Sequence, residues 1–268
     1  MIKNNYYYLV AGLPDLIFDG RNPGIESSGF KKELKPQLDK ADYELVELLF
    51  HDSKNQHILD LHFNNESSKN TIPQDTIEPL PYILNFLEWA DEQEIPKSKI
   101  KHEVKLNSLF FEYLLSTENT FLKEWFNLQL NAKNILTAFN CIQFNHPLNE
   151  HLIRVKQNKE IYSLLLNKRL KPKLLENEVP MVNEIFSIAE TQNKQEEKEK
   201  QLDKLMWKYL EEQTCYHYFT IEKILSFIIK LRITERWSKL DSDTGQKFLH
   251  QLINEIKSSY KFSEEFAQ

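Results

Sequence analysis

Residues 219–237 read Phe-Thr-Ile-Glu-Lys-Ile-Leu-Ser-Phe-Ile-Ile-Lys-Leu-Arg-Ile-Thr-Glu-Arg-Trp. Their apolar side chains recur at the 3.6-residue period of an α-helix. They also lie nearly all the way round that helix, which predicts that it is buried in the middle of a helical bundle. Ile224, Leu225 and Ile228 should therefore be almost inaccessible to solvent.

The helical pattern extends in both directions from this stretch. No proline follows Pro180, so the last part of the chain can form long helices. We expect three of them, at about 193–213, at 219–237 and after Asp241 or Ser242. Upstream, helices are predicted after Asp39, at 158–169, at 180–190 and from Pro81 to Glu92, the last with Ile83, Leu84, Leu87 and Trp89 on its buried side. A longer helical stretch is predicted from Leu106 to Phe144. It should break near Ser116-Thr117, and its second half should begin at Thr117 or Thr120.

Glycine usage supports an all-α fold. Only five glycines occur, four of them in the first 29 residues, and none lies between Phe30 and Thr244. Phosphate-binding glycine loops are absent and β-hairpin turns are scarce. The sequence therefore predicts a mainly α, multi-helix bundle, with at most a small β element near Tyr6–Ala11.

The sequence allows two divisions into domains and shows one short internal repeat. We expect an N-terminal segment of short helices and a loop at 1–75 and a helical bundle at 76–268, or one continuous domain over 1–268. Asn134-Ile135-Leu136-Thr137 and Lys223-Ile224-Leu225-Ser226 align at an offset of 89 residues, which suggests helical repeats.

Charge and composition exclude several function classes. The chain has 34 basic and 40 acidic residues, a net charge of −6, and only five of the basic residues are arginine. Nucleic-acid binding is therefore not expected. The aromatic segments Tyr6–Tyr8 and Tyr216–Phe219 favour core packing or a protein interface over stacking on bases. The two cysteines and the lack of an apolar run of about 20 residues predict a cytoplasmic protein without membrane insertion.

Two groups of residues have the composition of a metal or catalytic site. The cluster His51, Asp52, His57, Asp60 and His62 offers the ligand types of a metal-dependent hydrolase, and a helix would place His57 and Asp60 on one face. The pairs Cys141 with His146 and Cys215 with His217 match no common zinc spacing. We expect no catalytic residues, no cofactor and no metal, and keep a hydrolase that uses the histidine–aspartate cluster as an alternative.

Several segments resemble known families. Residues 7–16, 219–225 and 231–237 resemble the opening and the C-terminal signature of an uncharacterised bacterial family. Genes of that family lie in V/A-type ATPase operons, at the place where the C-type stalk protein of the complex is otherwise expected. Residues 131–139 and 222–236 also resemble this C-type stalk protein itself, the relative of the d-type stalk protein of eukaryotes.

This resemblance implies a non-catalytic function. The C-type stalk protein is an all-helical component that couples the central stalk to the membrane proteolipid ring. The chain would then be a peripheral component of the ATPase on the cytoplasmic side of the inner membrane, with the stalk and ring subunits as partners. A helical adaptor or assembly factor for the same ATPase is an alternative.

A candidate interface lies at the end of the most apolar stretch. It consists of Arg232, Glu235, Arg236 and Trp237, and it contains two of the five arginines. A rotor component needs such a polar rim to bind its neighbours. Arginine near a helix C-terminus is also favoured by the helix dipole, and an intramolecular ion pair is a further alternative.

Overall fold

The fold was obtained as a computed structural model that describes residues 5–18, 24–64, 80–93, 98–191 and 194–259. Within these ranges the protein has twelve α-helices and no strand, and 73% of it is helical. The predicted all-α fold is confirmed. The small β element allowed near Tyr6–Ala11 is instead the short helix α1 (Tyr7–Ala11).

The chain divides into two compact units. The terminal unit comprises residues 1–38 and 214–268, and the middle unit comprises residues 39–213. The sequence-predicted boundary between residues 75 and 76 lies outside the described residues.

The middle unit holds nine of the helices in the described part of the chain. They are α3 (Lys40–Leu48), α4 (Asp52–Asn64), α5 (Pro81–Asp91), α6 (Lys99–Leu114), α7 (Thr120–Gln143), α8 (Leu148–His151), α9 (Lys159–Leu166), α10 (Val182–Glu190) and α11 (Gln195–Thr214), which ends at the unit boundary. Helix α5 packs on α6, and α7 packs on α8, α9 and α10. Twelve residues of α7 are buried, so this helix forms the centre of the unit.

Local sequence explains where these helices begin. The Asp39 carboxylate accepts a hydrogen bond from the Lys40 N–H at 2.8 Å, and Pro81 occupies the first turn of α5, as predicted. The predicted break near Ser116-Thr117 is also present. However, the cap of α7 is Asn119, whose Oδ1 accepts from the Leu122 N–H at 2.9 Å. An asparagine at this position satisfies an N–H group that would otherwise lack a partner.

The terminal unit is built from α1, α2 (Ser27–Leu34) and α12 (Ile221–Ser259). Helix α2 packs on α12, with the rings of Phe30 and Phe227 in edge-to-face contact at 5.3 Å. The prediction that Ile224, Leu225 and Ile228 are inaccessible is confirmed, because each has 0% exposure.

The prediction of two separate helices after residue 219 was wrong. The backbone of α12 continues without a break past Asp241 and Ser242 to Ser259. Aspartate and serine favour a helix start, but they do not end a helix that already passes through them. A glycine such as Gly245 costs a helix only about 1 kcal/mol, whereas proline, which costs about 3 kcal/mol, is missing from this stretch.

Candidate functional site

The histidine–aspartate cluster is not assembled into a metal site. Asp52 and His57 are exposed and Asp60 is half-buried, whereas His51 is buried with its ring 6.2 Å from that of Tyr113. The buried stripe before and along α4 consists of His51, Asn55, Ile58, Leu59 and His62. His57 and Asp60 fall outside this stripe. Across the described ranges, no three His, Cys, Asp or Glu side chains come close enough to hold a metal ion. The residues named for the hydrolase alternative are thus not brought together as a ligand set within these ranges.

The buried residue His62 belongs to an aromatic cluster. Its ring stacks on that of His102, with centroids 5.2 Å apart and planes at 27°. His102 Nδ1 lies 2.8 Å from the Ser98 carbonyl oxygen, and because a carbonyl oxygen only accepts, Nδ1 is the donor. Three further rings contact the pair: Phe63, Phe86 and Trp89. Two imidazoles are fewer than the three or four ligands of a protein zinc site, so the arrangement is one of packing.

A buried tyrosine on α5 is hydrogen-bonded to a buried asparagine on α4. Tyr82 Oη donates a hydrogen bond to Asn55 Oδ1 at 2.8 Å. Burial, and then the neighbouring Tyr113 and Asp52, raise the pKa of Tyr82 well above its ordinary value. A phenol that stays protonated and bonded to an amide oxygen is suited to structure rather than to acid–base chemistry at neutral pH.

The two cysteines have different surroundings. Cys141 is buried and burial raises the pKa of its thiol, whereas Cys215 is exposed. His217 Nδ1 lies 3.8 Å from the buried Glu222 carboxylate rather than in a ligand set with Cys215. A thiol with a raised pKa is a poor nucleophile, so Cys141 has the environment of a structural cysteine.

The candidate interface on α12 is partly occupied by contacts within the chain. The Glu235 carboxylate accepts hydrogen bonds from the Ser27 N–H at 2.5 Å and the Ser27 Oγ–H at 2.6 Å. Glu235 therefore caps the N-terminus of α2. Trp237 is buried, and the guanidinium of the exposed Arg236 lies 5.5 Å from its ring centroid. Arg232 is half-buried. A role of these residues in partner binding stays a prediction.

The first segment that resembles the C-type stalk protein lies inside α7. Asn134 at its centre has 0% exposure, and its carboxamide makes two hydrogen bonds to the backbone of Ile153, donating at 2.7 Å and accepting at 2.9 Å. Asn158 Oδ1 accepts from the Val155 N–H at 3.0 Å in the same loop. Asn131 is also fully buried. Asn134 therefore holds the loop after α8 to the central helix, and Asn158 ties the backbone of that loop to itself. Periodicity alone could not predict either contact.

Two aromatic segments that are far apart in the sequence meet in the terminal unit. Their exposed rings are those of Tyr7, Tyr8, Tyr216, Tyr218 and Phe219. The Tyr6 N–H donates to the Phe219 carbonyl at 2.7 Å, and the rings of Tyr7 and Phe219 are 4.7 Å apart. The sequence marks both segments as aromatic, but no local signal reveals that they lie together.

The described residues define the class of this molecule as an all-α protein made of two helical units. The profile of a family of proteins of unknown function (DUF2764) matches residues 3–260, so the chain belongs to this family. The sequence predicted one uncharacterised family over most of the chain, and this part of the prediction is confirmed. No curated protein and no solved structure matches the chain. Within the described ranges, every helix is too short or too polar to span a bilayer.

Proposed function

We propose that this protein is a non-catalytic component of a bacterial V/A-type ATPase, similar to the C-type stalk protein, that couples the central stalk to the membrane proteolipid ring. The observation that carries the proposal is the position of the two segments that resemble the C-type stalk protein. Residues 131–139 lie wholly inside α7, and residues 222–236 lie wholly inside α12. These are the two longest helices of the described chain.

The buried faces of these segments support a mechanical function. Asn131, Asn134 and Ile135 on α7 each have 0% exposure, as do Ile224 and Leu225 on α12. A close-packed interior has low compressibility and transmits strain, which a component under torque requires. At 1.5 Å per residue, α7 is about 36 Å long and α12 about 58 Å. Helices of this length suit a connection between two rotating parts.

A helical adaptor or assembly factor for the same ATPase is the second candidate. It shares the fold and differs in its stoichiometry in the mature complex. The exposed rings of Tyr8, Tyr216 and Tyr218 support keeping this alternative, because exposed aromatic side chains can belong to a surface that binds another protein.

Purification of the ATPase from the producing organism tests the proposal. A stalk component should copurify in constant ratio with the other rotor subunits, and its deletion should uncouple ATP hydrolysis from proton or sodium transport. An assembly factor should appear only in incomplete complexes. Absence of the chain from both mature and incomplete complexes would refute both functions.

Charge reversal tests the candidate interface within this function. Arg232→Glu/Arg236→Glu should fold normally but fail to join the complex if these residues contact a partner. The matched control is Arg169→Glu, which changes an exposed arginine of the middle unit. Normal assembly of the double variant, with transport still coupled to hydrolysis, would show that the two arginines are structural.

A further inference from the structure

Residues 154–173 form a basic segment in an acidic protein. They contain seven lysines and arginines and one acidic residue, which is a net charge of +6 in a chain whose net charge is −6. All seven basic side chains are exposed, and within the described part of the chain none of them forms an ion pair with a carboxylate. These positive charges are therefore not used in contacts with acidic groups of the fold, and a local positive surface can attract an anionic partner even when the whole protein is acidic.

One face of α9 brings part of this segment to the solvent. Residues at positions i, i+3 and i+7 share one face of a helix, so Lys159, Tyr162 and Leu166 lie along one side of α9. Ile161 and Leu165 lie on the other side and are buried, with 4% and 0% exposure. The first face is therefore turned outward, with Lys159 exposed and Leu166 38% exposed.

Two further cations are held beside this face. The guanidinium of Arg154 lies 5.7 Å from the ring centroid of Tyr162. At the other end of α9, the Lys168 N–H donates to the Leu165 carbonyl at 2.9 Å, which keeps Lys168 close to Leu166. Because α9 is only about 12 Å long, these cations can act together on one anionic surface. We define the basic surface as Arg154, Lys159, Leu166 and Lys168.

Two buried asparagines fix the backbone on either side of Arg154. The carboxamide of Asn134 makes two hydrogen bonds to the backbone of Ile153, and Asn158 Oδ1 accepts from the Val155 N–H at 3.0 Å. Ile153 and Val155 are themselves buried, with 2% and 1% exposure. The backbone of the exposed Arg154 is therefore ordered before any partner binds, which lowers the entropy cost of binding.

The stability of α9 does not account for these charges. The helix dipole stabilises a cation that follows the C-terminus of a helix, which applies to Lys168. Lys159, however, is the first residue of α9, where the dipole disfavours a positive charge. Arg154 precedes the helix and lies outside its last turn altogether.

The composition of the segment favours an anionic lipid bilayer as the partner. Five of the seven basic residues are lysine, which is depleted at protein interfaces, and this disfavours another protein, a second copy of the chain included. Stacking on nucleic-acid bases needs an accessible ring, but Tyr162, the only aromatic residue of the segment, is half-buried and contacts Arg154. Clustered lysines with an exposed leucine among them are typical of segments that bind a membrane surface.

We propose that the basic surface binds the headgroups of an anionic phospholipid bilayer, with Leu166 entering the headgroup layer. The cations would neutralise lipid phosphates, and the leucine would gain contact with the outer part of the acyl chains. This inference is independent of the proposed function, because an isolated chain can bind lipid without any other component of the ATPase.

Sedimentation of the purified chain with lipid vesicles tests the inference. The chain should bind vesicles of phosphatidylcholine and phosphatidylglycerol at about 0.1 M salt but not vesicles of phosphatidylcholine alone. Binding should be lost at about 1 M salt, where the Debye length falls from about 10 Å to about 3 Å. Each basic residue near an anionic surface strengthens binding about fivefold, so Arg154→Gln/Lys159→Gln/Lys168→Gln should bind about a hundredfold more weakly.

Matched variants separate this surface from the total charge of the chain. Lys40→Gln/Lys99→Gln/Lys123→Gln also removes three exposed positive charges from the middle unit and should bind like the wild type. Leu166→Ser should weaken binding about threefold, because part of an exposed leucine would no longer be buried in the bilayer. Its control is Leu84→Ser, which truncates a leucine of similar exposure (41%) on α5 and should leave binding unchanged.

Failure of the wild-type chain to bind the anionic vesicles, or equal binding by the triple glutamine variant of the basic surface, would overturn the inference. An equal loss in the charge-matched control would also overturn it, because binding would then depend on total charge alone. Charge-dependent binding to duplex DNA, or a crosslink to an acidic protein or a second copy, in the absence of vesicle binding would overturn it in favour of those partners. None of these results bears on the proposed function, since the assay contains no ATPase.

Discussion

Replacing Glu235 with glutamine should lower the free energy of unfolding by about 1–2 kcal/mol. The Glu235 carboxylate accepts two hydrogen bonds from Ser27, whose exposure is only 7%. Glutamine keeps the shape and one acceptor oxygen but turns an NH₂ group toward a donor. Hydrogen bonds to charged groups contribute about 1.5–3 kcal/mol, and a carboxylate at the N-terminus of α2 adds about 0.3–1 kcal/mol through the helix dipole. Glu235→Ala, which removes both acceptors, should cost about 2–4 kcal/mol.

Urea unfolding followed by circular dichroism measures these differences. A double-mutant cycle with Ser27→Ala should give a coupling energy of about 1–2 kcal/mol, since the two side chains are in direct contact. The control is Glu212→Gln. Glu212 pairs with Lys208 at 3.6 Å across an exposed surface, with side-chain exposures of 53% and 64%. Loss of such a pair should change stability by less than about 0.5 kcal/mol.

Unchanged stability in these variants would instead favour the prediction from the sequence that Glu235 belongs to a partner interface. If Glu235→Gln and Ser27→Ala both unfold like the wild type, the cap does not contribute to folding. If Glu235→Gln then fails to join the ATPase as well, Glu235 contacts a partner, as the sequence predicted. Unchanged stability together with unchanged assembly would refute both roles.

Three further predictions concern the core and the titratable groups. Ile228→Ala should lower the free energy of unfolding by about 2–5 kcal/mol, since Ile228 has 0% exposure, and a loss below about 1 kcal/mol in denaturant titration would contradict a core role. Burial, and then the Glu124 carboxylate, raise the pKa of Tyr209 to about 12 from an ordinary value of 10.0. Its contribution to stability should therefore be complete below about pH 10 and fall by about 2 kcal/mol as the pH rises to 12. Tyr209→Phe should remove this part of the pH dependence, and an unchanged alkaline slope would contradict it. A thiol reagent at about pH 8 should modify the exposed Cys215 in the native protein and Cys141 only after denaturation, and rapid modification of both would refute the buried thiol.

Local features of the fold were predictable because their causes are local. Asp39 caps α3 and Pro81 begins α5, since each acts on backbone groups within one turn. Periodicity also identified the buried residues of α12, because nearly all of its faces are apolar there. The same reasoning failed at Leu84, which was predicted on the buried side of α5 and is 41% exposed, whereas Phe86 has 0% exposure. Periodicity gives the spacing of a buried stripe, but the neighbouring helices decide which stripe is covered.

Contacts between distant residues set the limit of prediction for the candidate site. Ser27 and Glu235 are 208 residues apart, and nothing in either neighbourhood identifies the partner. The two hydrogen bonds from the Asn134 carboxamide to the backbone of Ile153 are likewise not predictable from local sequence. Every residue has such backbone groups, so the identity of residue 153 gives no signal. Lys223, the residue aligned with Asn134 in the proposed repeat, has no carboxamide and cannot make this pair of bonds.

Side chains that already make contacts within the chain are weaker candidates for a partner surface than side chains that remain exposed. A charged residue at a helix end serves a cap, an ion pair or a partner equally well, and Glu235 shows that the cap takes precedence when a helix N-terminus is near. An exposed tyrosine has fewer intramolecular uses. The ring of Tyr8, with 97% exposure, covers almost none of the chain, so folding contributes little to keeping it aromatic. Under the proposed function, an exposed ring such as that of Tyr8 is therefore a better candidate for a partner contact than a charge that already serves as a cap.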